Sequence, residues 1–368
     1  MHVKVKTKEF RKALEILRKI VPIKGTMPVL TNFTIRKNGK KVSLTATNLE
    51  STVVVDLNEC KDIGGGLKGL LPFTKTRLIF RLRNQEYTSI TFRSDSVLIE
   101  DSEFSNEILV GEMSQFPTIP KPPVDHKITF SSENFKNLIN DIYLGVSEET
   151  NRPIFTQIHL SVSSKQVVGA ATDGKSIYES IVPCVAERPM ELFLNPVIRG
   201  VLKGSLGKGE AVIHSVCQPG GYVSMSHIKC GNVSFFGHGI DDRFPDYEKA
   251  IPGSFNQVIK FDVKQLIRAL SISALTVSDE TYRCLLNFTG SILTVSGSES
   301  EVGSSTARII LLEPALEPLT IAFNVRYLKR MLKSLRAKEA KMHLSEHNAP
   351  IVITEAKRRN LLMPLRMN

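Results

Sequence analysis

At 368 residues, 42% hydrophobic and 23% charged, the chain is long enough for two or three domains with full cores and reads as soluble and globular. Forty-eight Lys and Arg against 37 Asp and Glu leave a net charge of +11 and a pI near 9.4, a surplus that favours a polyanionic partner, most often nucleic acid. There is no apolar signal core at the start, no run near the length of a membrane span and no Cys-x-x-Cys among five scattered cysteines, so a cytoplasmic protein with reduced thiols is expected, and membrane and disulfide-built classes are set aside.

Residues 8–21 form the first expected helix. Phe10, Ala13, Leu14, Leu17, Ile20 and Val21 recur at helical spacing, and Thr7 stands where an N-cap would. Arg11, Lys12, Arg18 and Lys19, interrupted by Glu15, take the other face. Residues 27–52 follow as two β-rich runs around a polar turn, ending in Ala46-Thr47-Asn48, and the alternation continues through Val53, Val54 and Val55. Residues 63–69 are Gly-rich but lack the Gly-Lys-Ser/Thr ending of a phosphate loop, and read as a connection. Residues 72–84 make a second helix carrying Lys75, Arg77, Arg81 and Arg83; 87–100 alternate as strands; the Pro-rich 116–124 read as a linker.

The pattern then restarts. Ser131 or Ser132 caps a helix with the apolar stripe Phe135, Leu138, Ile139 and Ile142. Residues 152–177 repeat 27–52: Pro153 answers Pro28 and Thr172 answers Thr47, each 125 residues on, and Phe135 lies the same distance beyond Phe10. Asn195-Pro196 opens a helix bearing Arg199 and Lys203, and 244–252 close this stretch as Phe116-Pro117 closed the first. At the third restart Asp262 caps a helix with Val263, Leu266, Ile267 and Leu270 inward and Lys264 and Arg268 outward. Residues 285–301 are β-rich again. Asn324 caps a last helix with Val325, Leu328, Met331, Leu332 and Leu335 inward, and Arg326, Lys329, Arg330, Lys333 and Arg336 outward. A repeat this long is a duplicated domain rather than a solenoid unit. The expectation is an α+β chain of three similar domains, 1–124, 125–252 and 253–368, each ordered helix, strands, helix, strands.

No catalytic grouping emerges. The eight histidines lack metal-ligand spacing, and Gly-x-Ser-x-Gly, His-Glu-x-x-His and Walker patterns are missing. Glu148-Glu149 and Asp241-Asp242 are adjacent acids, which usually point apart, and Asp173-Gly174 reads as a hairpin turn. Neither an enzyme, a metal nor another cofactor is expected. What remains is the basic outer face of the helices. On one helix that is an ordinary solvated surface, since Lys and Arg are good helix formers. Its recurrence with the repeat is the stronger signal: helices facing a common side would make a positive wall that attracts phosphates without reading bases.

Several motifs carry a resemblance in their shared order and spacing from end to end. They are Thr26-Met27-Pro28-Val29-Leu30, Leu44-Thr45-Ala46-Thr47-Asn48-Leu49-Glu50, Arg152-Pro153-Ile154, Ala171-Thr172-Asp173-Gly174, Arg243-Phe244-Pro245-Asp246-Tyr247, Phe323-Asn324-Val325 and the Met363-Pro364-Leu365-Arg366 tail. With the triplicated layout they resemble the bacterial sliding clamp, the beta subunit of DNA polymerase III. The resemblance implies a DNA clamp fold with helices lining a ring and antiparallel sheets outside. It implies a head-to-tail homodimer around duplex DNA, acting as a polymerase processivity factor. It also implies a pocket for short Gln- and Leu/Phe-containing peptides of the replicative polymerase, the clamp loader and other proteins. DNA contacts would come from Lys24 and Arg152 in loops, and from Arg11, Lys12, Arg18, Arg77, Arg81, Arg199, Lys203, Lys264, Arg268, Arg326, Lys329, Arg330 and Lys333 on helices. The pocket would comprise Phe155, Thr172, Gly174, Lys175, Ser176, Ile177, Pro245, Ala250, Tyr327, Pro350, Leu361, Met363, Pro364, Leu365 and Arg366. The dimer contact would bring Phe104, Asn106 and Ile108 against Thr276, Val277, Glu299 and Glu301. The sequence departs from the family in having Lys175-Ser176 where a His-Arg or similar pair is usual, a small Ala250, and a basic overall balance. These departures point to a divergent second clamp or one from a mobile element. The alternative is a basic protein on the clamp fold that holds DNA by charge without encircling it.

Overall fold

A computed structural model of the chain describes residues 1–367 apart from 25–26, 39–40, 63–64, 120, 122–125, 206–208, 218–222, 241 and 300–301. Parts of the expected 63–69 connection and 116–124 linker, the 124/125 boundary, Asp241 and Glu301 therefore lie outside the described residues, as does the side chain of Glu299.

Among the described residues six α-helices form: α1 Thr7–Leu17, α2 Phe73–Leu82, α3 Ser132–Ile142, α4 Ile198–Gly204, α5 Val263–Ser273 and α6 Val325–Ser334. Their caps test the sequence reading. Asp262 accepts from the Gln265 amide at 2.8 Å, and Asn324 from Arg326 at 3.0 Å and Tyr327 at 3.4 Å. Ser131 accepts from the Asn134 amide at 3.1 Å. Thr7 does not cap. The strand His2–Lys6 runs straight into α1, Lys6 holds the cap position without a side-chain bond, and the Thr7 hydroxyl meets that of Thr88 at 2.9 Å. The Asn195 side chain accepts from Val197 at 3.0 Å and builds a turn, so α4 starts only at Ile198.

Each helix is led in by a strand, which corrects the helix-first order. His2–Lys6 is a period-2 stretch burying Val3 and Val5 completely, so the two halves of each repeat begin on the sheet and cross to the helix layer afterwards. α1 turns Phe10, Ala13, Leu14 and Leu17 inward, and Phe10 stacks on Phe80 of α2 at 4.2 Å between ring centroids. Phe10, Leu14 and Leu17, fully buried, each contribute about 1.5–3 kcal/mol. α1 also packs on α4, closely enough that a Cβ on Gly204 would lie 2.5 Å from Ile16. α5 packs on α6.

The chain forms two compact units. Unit 1 comprises Met1–Asn137, Ser161–Gln166 and Pro183–Asp241. One of its sheets runs Cys60–Lys61, His2–Lys6, Tyr87–Phe92, Ser96–Glu100, Ser105–Leu109 in hydrogen-bonded order, with Ser105–Leu109 at the edge. The other runs Val185–Ala186, His126–Ser131, Glu210–Cys217, Val223–Cys230, Val233–His238, Ser51–Leu57, Lys41–Thr47, Asn32–Asn38, Lys68–Pro72. It is two half-sheets joined by antiparallel pairing, Val233 opposite Val55 and Gly237 opposite Ser51.

Unit 2 comprises Leu138–Leu160, Val167–Val182 and Asp242–Asn368. Ile158–Val162, Gln166–Thr172, Ser176–Pro183, Arg358–Leu362, Ile351–Glu355, Glu339–Leu344 and Gln257–Asp262 are neighbours in that order. Here too two halves join edge to edge, Ser176 opposite Leu362. A separate sheet runs Gly303–Ile310, Ile292–Glu299, Arg283–Thr289, Leu319–Asn324, with Gly303–Ile310 at its edge. Cys60, Cys184, Cys230 and Cys284 are free thiols, the last three buried. No described helix is long and apolar enough to cross a membrane.

Candidate functional site

The organising turn is Asp173–Ser176. Thr172 donates its hydroxyl to the Ser176 carbonyl at 2.9 Å and accepts from the Gly174 amide at 3.0 Å. One Asp173 oxygen accepts from the amides of Lys175 at 3.0 Å and Ser176 at 2.7 Å, and from the Ser176 hydroxyl at 3.0 Å. The earlier copy builds the same turn. Thr47 donates to the Ser51 carbonyl at 3.1 Å, the Leu49 amide returns to Thr47 at 3.1 Å, and Asn48 accepts from Ser51 at 2.7 Å. The Ala-Thr-(Asn/Asp) repeat is thus a hydrogen-bonded turn written twice. Gly174 sits at φ +81° and Leu49 at φ +76°; glycine makes the second copy unstrained.

Every pocket position read from the sequence lies in unit 2. Ile177, Leu361 and Val352 stand opposite one another on three adjacent strands and form an apolar floor. Tyr247, Ile251 and Phe255 pack against it. Phe155 is half-buried beside Gly174, where a Cβ would lie 3.4 Å from its ring. Tyr327 is half-buried under Lys175, whose Nζ is 5.8 Å from the ring centroid, and Arg330, 5.0 Å away. The Met363 amide donates to the Lys175 carbonyl at 3.0 Å and that of Leu365 to Ala322 at 2.8 Å, fixing the C-terminal tail along the turn. Pro245, Ala250, Met363 and Arg366 are exposed, Pro364 and Leu365 half-buried, Pro350, Thr172 and Ser176 buried.

The sequence reading missed the polar frame of this site. Tyr247 donates to Glu179 at 2.7 Å, and burial together with that carboxylate holds its phenol well above the usual range. Arg359, opposite Glu179 in the strand register, grips it with Nε at 3.0 Å and Nη2 at 2.7 Å and also binds Glu248. Arg330 donates to Asp173 at 2.9 Å, tying α6 to the turn. The apolar run Ile351-Val352-Ile353 could have flagged Val352; no local pattern announces Glu179 or Arg359.

The basic candidates separate by environment. Arg11 turns into the protein, donating to the Phe80 carbonyl at 3.1 Å and to that of Arg83, where it satisfies the C-terminal end of α2. Arg77 and Arg18 bracket Glu15 at 2.7 and 3.1 Å. Arg326 stacks on Tyr282 at 3.3 Å from the ring centroid. Arg152 lies 5.5 Å from the Phe155 ring. Lys12, Lys24, Arg81, Lys203, Lys264, Arg268 and Lys333 are exposed, Arg199 and Lys329 half-buried.

At the two sheet edges apolar side chains stand in solvent. Phe104 and Leu109 do so in unit 1, and Val302 and Ile310 in unit 2, with Ile272 and Leu275 exposed on the helix and turn packed beside Gly303–Ile310. Of the expected contact residues, Ile108 is half-buried and Asn106 accepts from buried Arg83 at 2.8 Å. Thr276 donates to the Gly297 carbonyl at 3.1 Å, and Val277 is buried in its own unit.

Residues 248–366 match the family model for the DNA polymerase III beta subunit, C-terminal domain. With both chains covered in full, the sequence is 23% identical to the beta sliding clamp of Pseudomonas aeruginosa. It is 24% identical to that of Synechococcus elongatus over 98% of this chain and 97% of the other. Among solved structures, the DNA polymerase III beta subunit of Thermotoga maritima aligns over both full chains with a TM-score of 0.91 at 17% identity. A sliding clamp of Pseudomonas aeruginosa bound to griselimycin does so with 0.91 at 20%. The clamp fold and the resemblance to sliding clamps are both borne out.

Proposed function

We propose that this chain, similar to beta sliding clamps from end to end and sharing their fold, is a DNA polymerase processivity factor: a head-to-tail dimer that encircles duplex DNA and tethers its partners. The observation that carries the reading is a pair of open strand edges. Within the chain, half-sheets join twice by antiparallel edges, Val233–His238 with Ser51–Leu57 and Ser176–Pro183 with Arg358–Leu362. By strand order Ser105–Leu109 is the counterpart of Val233–His238, and Gly303–Ile310 that of Ser51–Leu57. Each ends its sheet with exposed apolar neighbours and, among the described residues, no further strand beside it. A second copy would supply the missing partner by the rule the chain uses internally. Such a contact joins two different edges, so it is heterologous, and it closes when the rotation allows. Two chains of three domains, 1–124, 125–252 and 253–368, would close a ring of six.

The outward cations of the helices suit its inner wall. Non-sequence-specific phosphate attraction is enough, because topology rather than affinity holds the ring on DNA. The unit 2 pocket is the tether, taking the short apolar peptide of a polymerase or clamp loader. The role is non-enzymatic and cytoplasmic, and needs no cofactor.

The test is retention on nicked circular DNA against the same DNA linearised, with a matching clamp loader at moderate salt. Encirclement predicts that the protein stays on circles and runs off linear ends. Equal retention on both, stripped from both by salt, would replace the ring with the alternative, a clamp-fold protein that holds DNA by charge.

A further inference from the structure

We infer that the pocket of unit 2 selects peptides whose apolar anchors are flanked by carboxylates. The inference rests on reading that pocket as a peptide site, and adds what the flanks of the peptide must carry. Four acids of the turn, the polar frame and residues 246–248 already have partners. Asp173 is paired with Arg330 at 2.9 Å, Asp246 with Lys249 at 3.0 Å, and Glu179 and Glu248 share Arg359. Three cations at the rim are left over. Arg152, Lys175 and Arg366 are exposed, and none makes an ion pair with a described residue. Arg152 and Lys175 lie near aromatic rings instead of acids, 5.5 Å from Phe155 and 5.8 Å from Tyr327. A cation held on a ring face keeps N–H donors free for a ligand. Arg366 follows the tail that the Met363 amide pins to Lys175. The exposed acids in the Arg152 loop are Glu148 and Glu149, and neither is bonded to a rim cation.

The pocket therefore combines an apolar floor with three rim cations that pair with no described acid. The floor gives affinity to aliphatic and aromatic anchors whatever surrounds them. The rim discriminates: carboxylates beside the anchors find three free donors, and lysines there meet like charge. Exposed ion pairs are individually weak and screened by salt, so the discrimination should be about 2- to 5-fold per cation and largest at low ionic strength.

The experiment is fluorescence anisotropy with the full chain and short labelled peptides sharing Gln, Leu and Phe anchors, flanked by Asp, Asn or Lys. At about 50 mM salt the Asp-flanked peptide should bind roughly 10-fold tighter than the Asn-flanked one, and the gap should fall below about 2-fold near 500 mM. Lys175→Glu and Arg366→Glu should each narrow the Asp-to-Asn ratio by about 2- to 5-fold. Equal affinity for Asp- and Asn-flanked peptides at low salt overturns the inference and leaves the peptide site standing. Binding of none of the three peptides overturns the peptide site, and the inference with it.

Discussion

His227 shows how position sets the chemistry of a residue. It lies on a central strand of unit 1 between His214 and Phe236, opposite both in register, and stacks 4.4 Å from the phenylalanine ring. Neither of its ring nitrogens has a hydrogen-bond partner among the described residues. Burial first, then the charges of His214 and Lys229, depress its pKa from 6.5 to about 4. A depressed folded-state value means that the unfolded chain binds the proton more readily. Stability is therefore full above pH 6.5 and lost as pH falls from 6.5 towards 4, by at most about 3 kcal/mol. His227→Phe should remove most of that slope, seen as a urea midpoint that barely changes between these pH limits. The Glu179 frame makes a second prediction. Arg359→Gln leaves a buried carboxylate with Tyr247 alone and should cost about 1–3 kcal/mol in urea denaturation, with Arg359→Lys recovering only part because it lacks the fork.

At the scale of elements, local chemistry was legible and long-range chemistry was not. Asp262 and Asn324 could be named as caps, and the third narrowed to Ser131 or Ser132, because a cap bonds within its own first turn. Asn324→Ala should cost about 1 kcal/mol through α6, measured as a fall in the urea midpoint of the full chain. Thr7 deceived the same rule, since its hydroxyl serves the distant Thr88 and the strand before it was too short to be noticed. The end of α3 shows another tertiary constraint. A Cβ on Gly145 would come within 2.3 Å of the Ala171 carbonyl oxygen, so Gly145→Ala should shift the backbone and cost about 1–3 kcal/mol, read in the same assay. Nothing in the neighbourhood of Gly145 in sequence announces that contact.

For the whole molecule, the open edges predict assembly. The chain should run as a dimer of about 82 kDa, twice its 40.9 kDa. Leu109→Asp or Leu275→Asp, each placing a charge at an exposed apolar position beside an edge, should shift it to the monomer in sedimentation without unfolding it. A wild-type chain that stays monomeric at micromolar concentration would remove the edge-pairing argument. The sequence by itself determined the repeat, the α+β class, the basic balance, three of the six helix caps and the Thr172–Ser176 turn, because these are periodicities, sums or bonds between near neighbours. Only the tertiary structure decided which cations face outward and which, like Arg11, close another helix. It alone set Ile177, Leu361 and Val352 in one row, placed Arg359 on Glu179 and left two strand edges open. Those outcomes depend on strand register and on contacts between segments far apart in the chain, to which composition and spacing are blind.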